Sequence, residues 1–478
     1  MPRTFVLSLV LASTATAQVT RRDLADAYMQ VDALVEARGF PMGRTNALNR
    51  AFDQTTLRFF GGDYATVLRD MHRITAEVAG DSSAVGLTRR LLPLRVRIEP
   101  RTVRPGAVIP ATIVLRYADT LATDTLRLVA RLRDANGRVR AEQRFSIAPR
   151  TAAGTVQRVE FAANTLPRQS PARFTISVEP ASGATAVAPM ADGFVLAQSA
   201  DSLRATLDAR SQALTVPAAL AGVVRTVRAR IALLTDRPSD DNSAQFLADL
   251  AALARDLPKE LDALTAGRDP YVADRTDRWR TLAAATGDIP FRIVAPKKGK
   301  GPFPLVIALH GAGGDENHFF EGYGDGILTR EAERLGFVAI APATIPFQRG
   351  GGIAFDSLVA LIGRELPIDT TRIFVLGHSA GAGTTMVISA ARASRIRGAA
   401  AIAGFGAVTA GTTLPPLQVV AAAVDGVIPA ARIRPGVTAA TAAGATIAYS
   451  EIADYGHSFV VGKVLPSVLD ALLRTPAR

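Results

Sequence analysis

Apolar residues recur with different rhythms in four successive stretches of the chain, and each rhythm predicts a different kind of element. From about Thr20 to Gly86 they fall at helical intervals, as in Leu24, Tyr28, Val31, Leu34 and Val35, with charged residues between them. Phe40-Pro41-Met42-Gly43 and Gly61-Gly62-Asp63 punctuate this stretch into about three helices, with Asp63 placed to cap the third. Between Leu91 and Gln198 the spacing becomes alternation, as in Leu94-Arg95-Val96-Arg97-Ile98 and Thr125-Leu126-Arg127-Leu128-Val129, which puts apolar and polar side chains on opposite faces of strands. Turn signals at Arg104-Pro105-Gly106, Asp134-Ala135-Asn136-Gly137, Ala152-Ala153-Gly154 and Ala181-Ser182-Gly183 divide it into six or seven short strands, a count that fits an antiparallel, immunoglobulin-like β-sandwich. Helical spacing returns from Ala200 to about Thr286, with Pro217, Pro238 and Pro258 read as breaks. The two helical regions are expected to pack on each other, with the sandwich inserted between them.

The last stretch is different again. Apolar runs at Leu305 to Leu309, Phe337 to Ala341, Arg372 to Leu376, Leu417 to Val424 and Thr446 to Ser450 alternate with helix-like segments, as expected of strands buried on both faces of a mostly parallel sheet with flanking helices. The chain is therefore expected to be multidomain: residues 18–90 helical, 91–198 a β-sandwich, 199–285 helical and 286–478 an α/β domain. In open sheets of that kind the reactive groups collect at the carboxyl ends of the strands.

Composition narrows the function classes. The net charge is +12, but only Lys259, Lys297, Lys298, Lys300 and Lys463 are lysines, and the arginines are scattered without aromatic platforms beside them, which argues against nucleic-acid binding. The absence of cysteine excludes disulfides, thiolate metal sites and cysteine nucleophiles together. Residues 1–17 carry one early cation (Arg3), an apolar run from Phe5 to Ala12 and the small-residue exit Ala15-Thr16-Ala17, the pattern of a signal peptide cleaved before Gln18; export to the periplasm or beyond is the expectation. No later stretch has the eighteen or so uninterrupted apolar residues of a membrane span. His72 lacks a second ligand at metal-binding spacing. The β region has no Trp and only Tyr117 among tyrosines, so it lacks the stacking platform of a sugar-binding module and reads as a packing spacer.

Chemistry concentrates in the last stretch. Gly377-His378-Ser379-Ala380-Gly381 follows a buried run and precedes a helix-compatible segment from Ala382 to Arg392, the context of a nucleophile elbow that holds Ser379 up from the sheet at a helix N-terminus. A serine alcohol needs a base within reach, and the base needs an acceptor that fixes its tautomer. His457, in Asp454-Tyr455-Gly456-His457, is the only histidine C-terminal to the elbow and is assigned general base, then general acid. Asp425, at the end of the run Val419 to Val424, is the orienting acid; Asp454 is its rival, better placed to cap a turn. The backbone N–H of Ala380 and that of Ala312, in His310-Gly311-Ala312-Gly313-Gly314, are assigned to the oxyanion hole. His310 is then a loop brace, His378 a packing or substrate-contact residue, and His318 structural or at the pocket rim. The loop from Thr344 to Ala354, together with the upstream helices, is expected to shape the acyl pocket, and Arg349 within it reads as a solvated arginine or as a holder of a substrate carboxylate.

The phrases Phe303-Pro304-Leu305-Val306-Ile307-Ala308-Leu309-His310-Gly311, Ile368-Asp369-Thr370-Thr371-Arg372-Ile373, the elbow, Asp425-Gly426-Val427-Ile428-Pro429 and Gly456-His457 make residues 286–478 resemble the α/β-hydrolase superfamily. Within it they resemble the secreted esterases that include feruloyl and acetyl-xylan esterases and polyhydroxybutyrate depolymerases, with dienelactone hydrolases and prolyl-oligopeptidase-type peptidases more distant. The resemblance implies a Ser-His-Asp triad, an acyl-enzyme, no cofactor, and a small or polymeric ester as substrate. Two departures stand out: Ala382 occupies a position where many relatives have a second glycine, and the disulfides usual in the depolymerases are impossible here. The preceding 285 residues match no such group. A peptidase with the same triad and a non-catalytic envelope binding protein remain as alternatives. The absence of propeller-blade repeats weighs against the first, and the presence of all three candidate residues against the second.

Overall fold

The computed structural model describes residues 19–475 apart from 82, 84–85, 119, 163–171, 184–186, 285–286, 349–350 and 410. The expected leader at residues 1–17 and Arg349 lie outside the described residues. Three helices come first among the described residues: α1 (Arg21–Arg38), α2 (Thr45–Phe60) and α3 (Tyr64–Val78). Thr20 and Asp23 close a capping box on α1, and Asp63 Oδ1 accepts from Thr66 N–H at 3.2 Å to cap α3. Their apolar faces meet in a core of Leu24, Ala27, Val31, Leu48, Phe52, Val67, Leu68 and Ile74, which also takes in Phe459 from the far end of the chain.

The β region holds β1 (Leu94–Arg97), β2 (Thr102–Val103), β3 (Val108–Leu115), β4 (Leu126–Asp134), β5 (Val139–Ile147), β6 (Gly154–Ala162), β7 (Ala172–Pro180) and β8 (Met190–Leu196). They form a three-stranded sheet, β1-β3-β6, and a five-stranded sheet, β2-β8-β7-β4-β5, whose inner faces share one core that includes Val96, Ile109, Ile113, Leu128, Leu132, Ile176 and Phe194. The arrangement departs from the six or seven antiparallel strands expected, because the two-residue β2 is an additional strand and pairs parallel with β8.

Eight strands build the C-terminal sheet: β9 (Arg278–Ala284), β10 (Gly287–Val294), β11 (Phe303–Leu309), β12 (Val338–Pro342), β13 (Ile368–His378), β14 (Ile396–Ile402), β15 (Leu417–Ala422) and β16 (Ile447–Ile452). Their order is β16-β15-β14-β13-β11-β12-β10-β9, parallel except where β10 pairs with β9 and β12. A boundary at 286 therefore falls inside the β9–β10 hairpin, and the sheet begins by Arg278. Every residue of β11, β12 and β14 is buried, the signature of strands covered by helices on both faces.

The helix Ala221–Ile231 leans on β9, where Thr226 Oγ1 donates to Thr281 O at 2.7 Å. Pro258, expected to break a helix, sits inside Leu250–Thr265 instead. A mid-helix proline costs roughly 3 kcal/mol, and the buried Leu253, Leu257, Leu261 and Leu264 on one face offset it by packing. The two helical regions meet at an edge, through Arg22 N–H to Asp240 O (2.9 Å) and the Arg22 guanidinium over the Phe246 ring. The larger partner of α1–α3 is the C-terminal unit, across the carboxyl ends of its strands.

Candidate active site

β13 runs straight into the helix Ala380–Ala391, and the chain reverses at Ser379 with φ 55° and ψ −119°. For a residue with a Cβ this is a strained conformation, and such strain persists only where surrounding structure over-determines it. Here the surroundings do so: Ser379 N–H donates to Ile402 O at the end of β14 (2.9 Å), and a Cβ at Gly377 or Gly381 would collide with Gly381 O or Leu309 O. Only glycine fits at either position.

The loop after β11 lies against the elbow. A Cβ on Gly311 would stand 3.1 Å from Ser379 Cβ, so the residues next to it, Ala312 included, border the serine. The N–H groups of Ala312 and Ala380 donate to no protein acceptor among the described residues. His310 holds the loop in shape: its Nε2 accepts from Thr344 N–H at 3.0 Å, so Nδ1 carries the proton and donates to Gly311 O at 2.8 Å.

His457 and Asp425 lie on the loops after β16 and β15, at the same end of the sheet. The imidazole Nδ1 is 2.8 Å from Asp425 Oδ2, and both side chains are buried. Asp425 Oδ1 accepts from Val427 and Ile428 N–H at 2.8 and 2.7 Å, so its carboxylate is fixed on both oxygens. A carboxylate only accepts, so Nδ1 holds the proton and Nε2 is left as a bare acceptor. Asp454 is elsewhere: it is exposed and accepts from Asn46 Nδ2 on α2 at 3.1 Å. Ser379 Oγ makes no hydrogen bond among the described residues, although Ser379 and His457 line one cavity; bonds of this kind are often long before substrate binds.

His378 braces His457. Its Nε2–H donates to His457 O at 2.9 Å, so its Nδ1 accepts from Tyr323 Oη at 2.6 Å. Burial pushes its imidazole well below the usual histidine range, which keeps it neutral and preserves both bonds. His318 is half-buried at the cavity wall against the rings of Tyr28 and Tyr323, and desolvation there lowers it to about 4. His72, away from the cavity, bonds Tyr117 Oη through Nδ1 at 2.8 Å.

The cavity that Ser379 and His457 share measures about 490 Å³ and is roofed by the first three helices: Leu24, Tyr28, Phe52, Phe59, Phe60, Tyr64 and Met71 form most of its apolar wall. Among the described residues of the segment Thr344 to Ala354, expected to shape it, none lines it; Thr344 is tied behind the loop to His310 instead. Two polar residues of α2 that were not among the expected site residues reach past the roof to the loops of His457 and Asp425: Asn49 and Asp53, both buried. Their signal was present, since an Asn and an Asp four apart share the helix stripe of Leu48, Phe52 and Thr55, where a solvated residue would be out of place. A second cavity, about 660 Å³, lies by Arg101, Arg133 and Arg173 and contains none of these groups. Among the described residues no cluster of His, Asp and Glu could hold a metal ion, and no helix is long and apolar enough to cross a membrane.

The strand–turn–helix at Ser379 and the chain order Ser379, Asp425, His457 are those of the α/β-hydrolase fold. No family model and no curated protein matches the chain. Solved structures similar to it include a thermostable esterase, at 20% identity and a TM-score of 0.36 over 42% of this chain and 63% of that one, less than two thirds of the esterase's length. An S-formylglutathione hydrolase from Agrobacterium tumefaciens is similar at 16% identity and a TM-score of 0.37, over 42% of this chain and 98% of its own. A feruloyl esterase module from Clostridium thermocellum is similar at 12% identity and a TM-score of 0.37, over 42% and 89% of the two chains.

Proposed function

We propose that the protein is a serine hydrolase of carboxylic esters whose acyl or alcohol portion is apolar, acting through Ser379, His457 and Asp425. The observation that carries this is the pairing of a strained, cavity-facing serine with an imidazole whose Nδ1 is committed to a buried carboxylate and whose Nε2 is therefore free to take a proton. His457 Nε2 removes the Ser379 proton as Oγ bonds to the ester carbon, and the oxyanion so formed is met by the N–H groups of Ala312 and Ala380. Collapse breaks the bond to the alcohol oxygen, which leaves with the proton from His457. Water then repeats the sequence: His457 takes its proton, its oxygen bonds to the acyl carbon, and Ser379 departs with the proton restored.

The apolar wall sets the substrate class. Burying one methylene is worth about 0.8 kcal/mol, or roughly fourfold in binding. Across p-nitrophenyl esters from acetate to octanoate, kcat/KM is expected to rise by about two- to fourfold per methylene until the cavity is filled. A flat series, on both the acyl side and the alcohol side of the ester, would remove the cavity from the argument. Chromogenic peptide anilides serve as the contrast substrates, and turnover of these in preference to esters would replace the ester reading by a peptidase.

The β unit is proposed as an immunoglobulin-like packing spacer. Export through the leader at residues 1–17 belongs to the same proposal. Amino-terminal sequencing of the protein recovered from a secreting host should begin at Gln18, and recovery of an uncleaved cytosolic chain would rule export out.

A further inference from the structure

We infer that helix α2 completes the hydrolytic site, with Asp53 as a positioning residue that ties the loop of the acid to the loop of the base. The inference rests on the serine-hydrolase reading above. Asp53 Oδ2 accepts from Gly426 N–H at 2.8 Å, one residue past Asp425, and Asp53 Oδ1 accepts from His457 N–H at 2.9 Å. One turn earlier on the same helix face, Asn49 Oδ1 accepts from Gly456 N–H at 2.8 Å and its Nδ2 is held by Thr45 O. A single carboxylate contributed from near the start of the chain thus fixes two backbone positions, at Gly426 and His457, that are 31 residues apart in sequence.

The approach is close by construction. A Cβ on Gly456 would stand 2.7 and 2.8 Å from the two Asp53 oxygens, so a glycine there lets the carboxylate in. Asp53 is 1% exposed, and no lysine or arginine pairs with it among the described residues. Burying an unpaired carboxylate is costly unless hydrogen bonds compensate, and these two amide bonds are the compensation. The titratable groups that face Asp53 are Asp425 and His457. Its charge therefore adds to that of Asp425 beside the imidazole, favouring the imidazolium that forms when Ser379 gives up its proton.

Burial holds the Asp53 carboxyl up at about 6, with Asp425 adding to the effect and the two amides opposing it. In the unfolded chain it would titrate near 3.8, so the fold takes up a proton between those values. The stability it contributes is complete below about pH 4 and is lost as pH rises through about 6, while the two-acceptor form that positions the loops exists only above that point. Protonation turns one oxygen into a donor that faces an N–H and releases one loop. Asp53→Asn does the same permanently, because its amide can accept from only one of the two.

The test is the pH profile of Asp53→Asn beside the wild type on a p-nitrophenyl ester, with melting temperature as the control for folding. At pH 8 the variant is expected to be slower by about tenfold, the scale of a modest misplacement of reacting groups, with the loss in kcat and KM within about twofold. At pH 5 the gap should close to less than twofold, because the wild-type carboxyl is then protonated too. Should the variant not fold, the wild type alone decides: kcat must fall by more than tenfold per pH unit between pH 6 and 5, steeper than one protonation allows. A deficit that is constant from pH 5 to 8, one confined to KM, or a single-protonation wild-type limb overturns the role of Asp53. A wild type whose ester turnover survives Ser379→Ala overturns the hydrolase reading itself, a separate result.

Discussion

Ser379→Ala is expected to lower kcat for ester hydrolysis by about 10⁴- to 10⁶-fold, with KM changed by no more than a few-fold. The alanine retains the elbow, since the turn is imposed by Ile402 O and by the contacts at Gly377 and Gly381, not by the hydroxyl. Binding in the apolar cavity and the two oxyanion N–H groups also remain, so the substrate should still dock while no bond can form to its carbon. His457→Ala should cost about as much, and the double variant little more than either single one, because nucleophile and base act in one step. A fluorophosphonate probe gives the companion measurement. Its phosphonyl group should add to the intact wild-type mass once and to the Ser379→Ala mass not at all. Ester turnover in the alanine variant within tenfold of wild type would end the mechanism.

The sequence was most legible where local physics left no alternative. Gly377-His378-Ser379-Ala380-Gly381 is readable because both glycines meet backbone oxygens that no Cβ could avoid. The runs of β11 and β12 are apolar on consecutive residues because both faces of those strands are covered. Legibility fails where tertiary contacts decide. β14, Ile396-Arg397-Gly398-Ala399-Ala400-Ala401-Ile402, is rich in alanine, the best helix former, and is a strand only because β13 and β15 pair on either side of it. β9 falls inside the stretch expected to be helical and is a strand instead, since Arg278, Arg280 and Thr281 interrupt its apolar pattern in sequence; Arg280 enters the core there because Glu365 takes it in two hydrogen bonds of 2.6 Å. Asn49 and Asp53 show in sequence only as polar residues on the buried stripe of α2, and what they bind does not show. Their partners are backbone amides some 400 residues away, and a backbone amide leaves no mark in a sequence. The aromatic roof follows the same rule: Phe52 and Phe40 face Phe459, two residues after the base, at centroid distances of 4.5 and 5.2 Å.

Asp425→Asn is expected to reduce kcat by about 10⁴-fold, a loss far larger than the change in shape would suggest. The cause is the direction of one proton. Val427 and Ile428 N–H both point at Oδ1 of residue 425, so the asparagine must keep its carbonyl oxygen there and turn its NH₂ toward His457 Nδ1. An NH₂ donates, so Nδ1 becomes the acceptor and the ring proton moves to Nε2, the atom that has to receive the Ser379 proton. The imidazole then sits in the right place in the wrong tautomer. Asp454 cannot take over, since it is exposed and engaged by Asn46. Asp425→Ala separates geometry from tautomer. It frees the ring to hold its proton on either nitrogen and should lose less in kcat than Asn, unless release of the two amides lets the loop move. Both variants also remove the charge that helps to raise Asp53, so the Asp53 carboxyl should titrate below its wild-type value of about 6. In the residual activity of Asp425→Asn, the part of the acid limb that belongs to Asp53 should accordingly shift to lower pH. A limb unshifted in both variants would mean that the two carboxylates do not share the field assigned to them.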